Sequence, residues 1–245
     1  MKLVVYTAIA ADYDELRPPR VIPEGVDFVC FTERGKRVPA GWTHRVLPRS
    51  ELPPASSNRY AKMHPHLLFP AHDASIYVDG NIEIIADVRP LAQRVVAEAA
   101  IGLFDHPVRS NTFDEAIECA LIGFDRASRI REQMRRYYLE GYTFGGGLFE
   151  ASVIVRAHHD PGVVRTMTRW WDEWQRGVKR DQLSLMYVLW KEKPRVLALG
   201  ANDARFRHQY FVYHPHRQAL RRAPARTLRQ ILNRLHLTVF GMQVR

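Results

Sequence analysis

Apolar and polar positions along the chain fall into short runs. Residues 2 to 10 (KLVVYTAIA) and 26 to 32 (VDFVCFT) are largely apolar and rich in β-formers, the pattern of strands buried on both faces of a sheet. Between them "DYDELRPPRVIPEG" is a polar, proline-rich loop. Residues 42 to 47 predict a weaker third strand closed by Pro48. The segment "PPASSNRYAKMHPHLLFP" predicts a helix entered through its serines as N-caps and kinked or ended near Pro65. A strand follows over 75 to 79, then a helix capped by Asp87 and reaching about Ala100. Residues 101 to 106 return to the sheet, and 112 to 140 carry two helices split near Gly123-Phe124-Asp125. After Gly145-Gly146-Gly147 comes a strand over 148 to 156. Pro161 then opens a helix through Trp170, Trp171 and Trp174, 180 to 191 form another, and 195 to 199 a last strand. Strands alternating with helices predict an α/β fold with a mainly parallel central sheet flanked by helices.

Composition narrows the class. The 245 residues, 46% of them apolar, are enough for one large α/β domain or two small ones. A formal net charge of +10 favours an anionic partner: nucleic acid, an acidic membrane surface or a phosphate-bearing small molecule. Cys30 and Cys119 lie in apolar contexts without metal-type spacing and read as core residues in a reducing compartment. The N-terminus reads as a first strand rather than a leader, and no window reaches the roughly 18 apolar residues of a membrane span. From about Arg217 the chain turns arginine-rich, with leucines and isoleucines at helical spacing. This predicts an appendage over 216 to 245 that either packs back on the domain or lies on an anionic surface.

Candidate chemistry gathers around "IYVDGNIEI". In parallel α/β sheets ligands collect at the carboxyl ends of strands, where Asp79 stands. A carboxylate there suits Mg2+ or Mn2+ on diphosphate oxygens; Gly80 would admit close backbone approach, and Asn81 would add an amide oxygen. The plain alternative is a hairpin turn. Arg59 and Lys62, three apart on the preceding helix, would present two cations to a diphosphate or else form a solvated basic face. Asp181, beside Gln182, either caps its helix or polarises a substrate hydroxyl. His208, His214 and His216 cluster in "FRHQYFVYHPH", where one would complete a metal shell, with His208 and His214 the candidates. His106 at a strand end, and Gly146 and Gly147, would approach a sugar or phosphate.

The ordered set "VVYTAIAADYDEL", "DFVCFT", "SNRYAKMHPHLLFP", "SIYVDGNIEI", "DHPVRSNTFDEA" and "RDQLSLMYVL" resembles a glycosyltransferase-like family of plant and bacterial proteins whose plant members are implicated in pectin and mucilage polysaccharides. The resemblance spans roughly residues 1 to 215 and implies a single GT-A-like, Rossmann-like domain of retaining type. It implies that Asp79-Gly80-Asn81 takes the place of an Asp-x-Asp metal motif, with Asn81 replacing the second acid. It further implies that Arg59 and Lys62 face the diphosphate or donor sugar, that Thr7, Ala8 and Thr32 hold base and ribose, and that Asp181 and Gln182 touch the donor sugar and acceptor.

The leading expectation is therefore a hexosyltransferase-type enzyme. It would move sugar from a nucleotide-diphosphate donor, with Mn2+ or Mg2+, to a glycan or lipid-linked acceptor in surface polysaccharide synthesis. Its expected place is cytoplasmic, or peripheral at the inner membrane face. An inactive glycan- or nucleotide-sugar-binding module is the alternative. A nucleic-acid-binding protein meets only the electrostatic criterion.

Overall fold

The computed structural model describes residues 1–143, 145–201, 209–217 and 224–240, without the side chains of 224–226 and 239–240. Its centre is a seven-stranded sheet built from β1 (Leu3–Ala8), β2 (Val26–Thr32), β3 (Thr43–Val46), β4 (Ala74–Val78), β6 (Ile101–Asp105), β7 (Phe149–Arg156) and β8 (Val196–Ala201). The order is β3-β2-β1-β4-β7-β6-β8, parallel throughout except that β7 runs antiparallel to both neighbours. The mainly parallel sheet expected from the strand–helix alternation is thus present.

The unbroken apolar runs have a simple cause. Val4, Tyr6 and Ala8 pack into one core while Leu3 and Val5 pack into another, so alternate side chains of one strand are buried on opposite faces. One face is covered by α1 (Pro54–Met63), α4 (Thr112–Leu121), α5 (Ala127–Leu139), α6 (Pro161–Arg176) and α7 (Asp181–Glu192). The other is covered by α3 (Arg89–Glu98), Trp42 and Phe211. Both cysteines are buried and free, and burial pushes each thiol up to about 12.

Several local expectations change. Pro53, not a serine, occupies the cap position of α1, and Ser57 Oγ instead donates to the carbonyls of Arg49 and Leu52. Helix α1 ends at His64, and Pro65 starts the one-turn α2 (Pro65–Leu68), as a residue without an N–H should. Val88 takes the cap position of α3, while Asp87 Oδ1 still accepts from the Arg89 N–H at 2.9 Å. The strand over 196 to 201 is not the last. β9 (Phe211–Tyr213) pairs antiparallel with β5 (Ile82–Ile84) in a separate ribbon, so Asp79-Gly80-Asn81 links two sheets rather than turning a hairpin. The appendage contains α8 (Pro224–Phe240), which packs against α4 and α5. No helix among the described residues is long and apolar enough to cross a membrane.

The strand order fixes where a ligand can sit. From β1 the chain steps outward to β2 and β3, then returns to place β4 on the other side of β1. The carboxyl ends of β1 and β4 therefore diverge and leave a crevice.

Candidate functional site

That crevice is a cavity of about 610 Å3. Its walls are the loop after β1 (Ala8 to Asp14), one face of α1 (Asn58, Arg59, Lys62), Asp79 and Gly80 beyond β4, Glu150 to Ser152 of β7, Lys179 to Gln182 entering α7, and Tyr213 and His216.

Four charged groups form its floor. Lys62 is 1% exposed, and its Nζ donates to Asp181 Oδ2 at 2.7 Å and to Asp79 Oδ1 at 3.4 Å. Arg59 Nε donates to Asp181 Oδ1 at 2.7 Å. The spacing of three on α1 thus delivers both cations to one carboxylate at the start of α7. Burial alone would raise the Asp181 carboxyl, but Arg59 and Lys62 hold it well below the usual range. Burial would likewise lower the Arg59 guanidinium, and Asp181, Tyr77 and Asp79 reverse that. Tyr77 donates its hydroxyl to Asp79 Oδ1 at 3.0 Å, and burial followed by the Asp79 charge keeps that phenol neutral. The backbone beneath is fixed: Arg156, fully buried, donates to the Lys62 carbonyl at 2.8 Å and to Tyr6 OH at 2.6 Å. Tyr6 in turn donates to the Lys62 carbonyl at 3.1 Å.

The rim is closed by a second set of contacts. A Cβ on Gly80 would lie 2.6 Å from Ile9 Cγ1 and 3.0 Å from Asp14 Cβ, so the missing side chain lets the post-β1 loop close over the strand end. Asp14 Oδ1 accepts from His216 Nδ1 at 2.7 Å. That hydrogen bond, against burial and with the charges of Asp14 and Asp79, raises the imidazole above its ordinary value. Glu33, next to Thr32, holds the loop from below by accepting from the Ala11 N–H at 2.5 Å.

Of the residues expected from sequence, Ala8, Arg59, Lys62, Asp79, Gly80, Asp181 and Gln182 share this cavity wall. Thr7 is buried beneath it, and Thr32 Oγ1 donates to Glu33, supporting the rim. Asn81 lies just behind: its Nδ2 donates to the His214 carbonyl at 2.6 Å, and its Oδ1 is buried with no hydrogen-bond partner among the described residues. His214 turns away, with Nε2 on Glu83 Oε2 at 2.8 Å. His106 closes its own turn, Nδ1 accepting from the Arg109 N–H at 2.9 Å. Gly146 and Gly147 are exposed and outside the wall, and His208 lies outside the described residues. Sequence reasoning passed over Asn58, Glu150, Lys179 and Arg180. It named His216 in a cluster without choosing it, and its position two residues beyond His214 was the available signal.

The chain matches the family model described as "TOD1/MUCI70, glycosyltransferase-like domain" over residues 37–215. It belongs to this family. The matched span of this glycosyltransferase-like chain contains Arg59, Lys62, Asp79 and Asp181. No curated protein matches it. Among solved structures it is similar to mouse xyloside xylosyltransferase 1 in its apo form, with a TM-score of 0.47 and 12% identity over 80% of this chain and 84% of that one. It is also similar to the WbbM bifunctional glycosyltransferase apo structure, with a TM-score of 0.47 and 12% identity over 80% of this chain, which spans only 38% of that protein.

Glycosyltransferases of GT-A-like fold often use a divalent metal, so the donor set matters. Among the described residues no three His, Cys, Asp or Glu side chains converge as a cage. Asp79 and His216 nevertheless share the cavity. The Asp14 carboxylate on His216 Nδ1 is the outer partner that a metal-binding imidazole commonly has, and the buried Asn81 Oδ1 has no partner among the described residues. Such a set suits a hard cation that keeps water and phosphate in most of its coordination sphere.

Proposed function

We propose that this cavity binds a nucleotide-diphosphate sugar and transfers its hexosyl group to a hydroxyl of a glycan or lipid-linked acceptor in surface polysaccharide synthesis. The observation that carries this reading is the pairing of Arg59 and Lys62 on Asp181, with Asp79 beside them, at the crevice of the sheet.

When the glycosidic C–O bond breaks, the electron pair stays on the diphosphate oxygen. Two cations already fixed in a half-dry wall stabilise that charge without rearranging at the moment of reaction. Asp181, held ionised by both, is too weak a base to deprotonate an alcohol. Its role is to position Arg59 and Lys62 and to accept a hydrogen bond from a sugar hydroxyl, with Gln182 next to it. That fits a retaining course, in which the acceptor proton leaves with the diphosphate. Thr7, Ala8 and the loop closed by Thr32 and Glu33 would frame base and ribose. A divalent cation would be held by Asp79 and His216 with Asn81 Oδ1 as the neighbouring donor, and when bound it would add positive charge to the diphosphate.

The test is release of nucleoside diphosphate from a panel of UDP- and GDP-sugars with and without Mn2+. Release is expected with wild type and is abolished in Asp79→Ala. Equal release in that variant overturns the assignment. Calorimetric binding of donor without turnover on any acceptor replaces it with a nucleotide-sugar-binding module.

A further inference from the structure

Helix α8 turns its polar anchors inward, with Leu237 partly buried on the core beside them, and an apolar stripe outward. Asn233, 4% exposed, donates to the carbonyls of Ala120 and Asp125 at 2.9 and 2.7 Å and accepts from the Ala127 N–H at 2.9 Å. Gln230 donates to the Ile122 carbonyl at 3.0 Å and Arg229 to that of Phe124 at 3.1 Å. Leu228, Ile231, Leu232 and Leu235, spaced as one helical stripe, are each between 54% and 59% exposed. An amphipathic helix normally buries such a stripe. Here its polar anchors satisfy the ends of α4 and α5, and the stripe is left outside.

Charge selects what covers it. Residues 217 to 245 hold seven arginines and no acidic residue. Among described side chains, Arg234 is exposed on α8, and exposed Arg126 borders the same shallow groove as Leu228 and Leu232. A second copy would set arginine against arginine, and a nucleic acid would leave the leucines wet. An anionic bilayer takes both, apolar row among acyl chains and guanidinium groups among headgroups.

We propose that α8 is a membrane-surface helix that docks this protein on anionic lipid. The carbonyl bonds from Arg229 and Gln230 grip the loop whose Phe124 lines the cavity, so docking sets one cavity wall near the lipid surface. Only the corollary, delivery of a lipid-linked acceptor, rests on the proposed transferase reading.

Sedimentation of the full chain with phosphatidylcholine vesicles, with and without phosphatidylglycerol, tests it in the absence of any sugar donor, so failure of the transferase reading leaves the result intact. Binding is expected only with phosphatidylglycerol and weakens with salt. It falls at least about tenfold in Ile231→Asn/Leu235→Asn, whose exposed positions leave the melting temperature unchanged. No binding to the anionic vesicles overturns the proposal, as does equal binding by that variant. A dimer in lipid-free solution that the same variant dissociates overturns it in favour of a second copy.

Discussion

Lys62 Nζ lies 2.7 Å from Asp181 Oδ2 although 119 residues separate them, and both side chains are nearly excluded from solvent. The contact joins α1 to the start of α7 across the cavity floor. Removing the shared carboxylate leaves Lys62, among the described residues, with only the longer ion pair to Asp79, and Arg59 without its Asp181 partner. Removing Lys62 leaves Asp181 still paired with Arg59. Breaking a buried pair from one side costs about 3–5 kcal/mol. Asp181→Asn should therefore destabilise the fold by more than Lys62→Met, which urea denaturation of both variants measures. The reverse order would mean that Arg59 and Lys62 are not held by one acid.

Gly80 offers a second test, because its role is steric. Alanine there places a Cβ against Ile9 and Asp14, and overpacking of this kind costs about 1–3 kcal/mol. Gly80→Ala should destabilise the chain, and Ile9→Ala in the same molecule should recover part of the loss, giving favourable coupling in a double-mutant cycle. Additive effects would place the strain elsewhere.

These two sites show what the sequence made legible. The strands were readable because burial on both faces makes them continuous apolar runs, as in "LVVYTA" and "VDFVCFT". Arg59 and Lys62 were readable as a pair because helical spacing alone puts them on one face. Their common partner was not, since contact with Asp181 depends on how α7 packs. β9 has three residues and pairs only with β5, a register fixed by tertiary structure, so it left no local signal. The same ribbon turns His214 to Glu83 and leaves His216 facing the cavity, a choice that no spacing rule makes.

Acid stability follows from a histidine away from the site. His158 is fully buried, its Nε2 on the Phe69 carbonyl at 3.1 Å, and burial lowers it from 6.5 to about 4. A base depressed in the folded state stays neutral there while the unfolded chain takes up a proton. Its contribution is complete above about pH 6.5 and is lost progressively as pH falls toward 4, by at most about 3 kcal/mol. His66, lowered to about 4 by burial and by His64, acts in the same direction. Urea denaturation between neutral pH and about pH 5 should show this loss, with a shallower slope in His158→Asn. An unchanged slope would assign the loss to other groups.

Asn233 makes the last prediction because one side chain serves two helix ends. It satisfies the Ala120 and Asp125 carbonyls leaving α4 and the Ala127 N–H entering α5, and all three bonds are lost in Asn233→Leu. The substituted side chain fills the space but pairs with none of them; the Ala120 carbonyl keeps the Gly123 N–H at 3.0 Å, while the Asp125 carbonyl and the Ala127 N–H lose this partner, at about 1–3 kcal/mol each unless α8 lifts and admits water. Lifting is the lower-energy response, since few apolar contacts hold the helix and its leucine stripe already faces out. Limited proteolysis should then cut within 224–240 far faster in Asn233→Leu than in wild type, while β1 to β8 stay protected. Because Arg229 and Gln230 would release the Phe124 loop in the same step, donor binding measured on the uncut variant should weaken as well. Rapid cleavage with unaltered donor affinity would show that α8 anchors the chain without shaping the cavity.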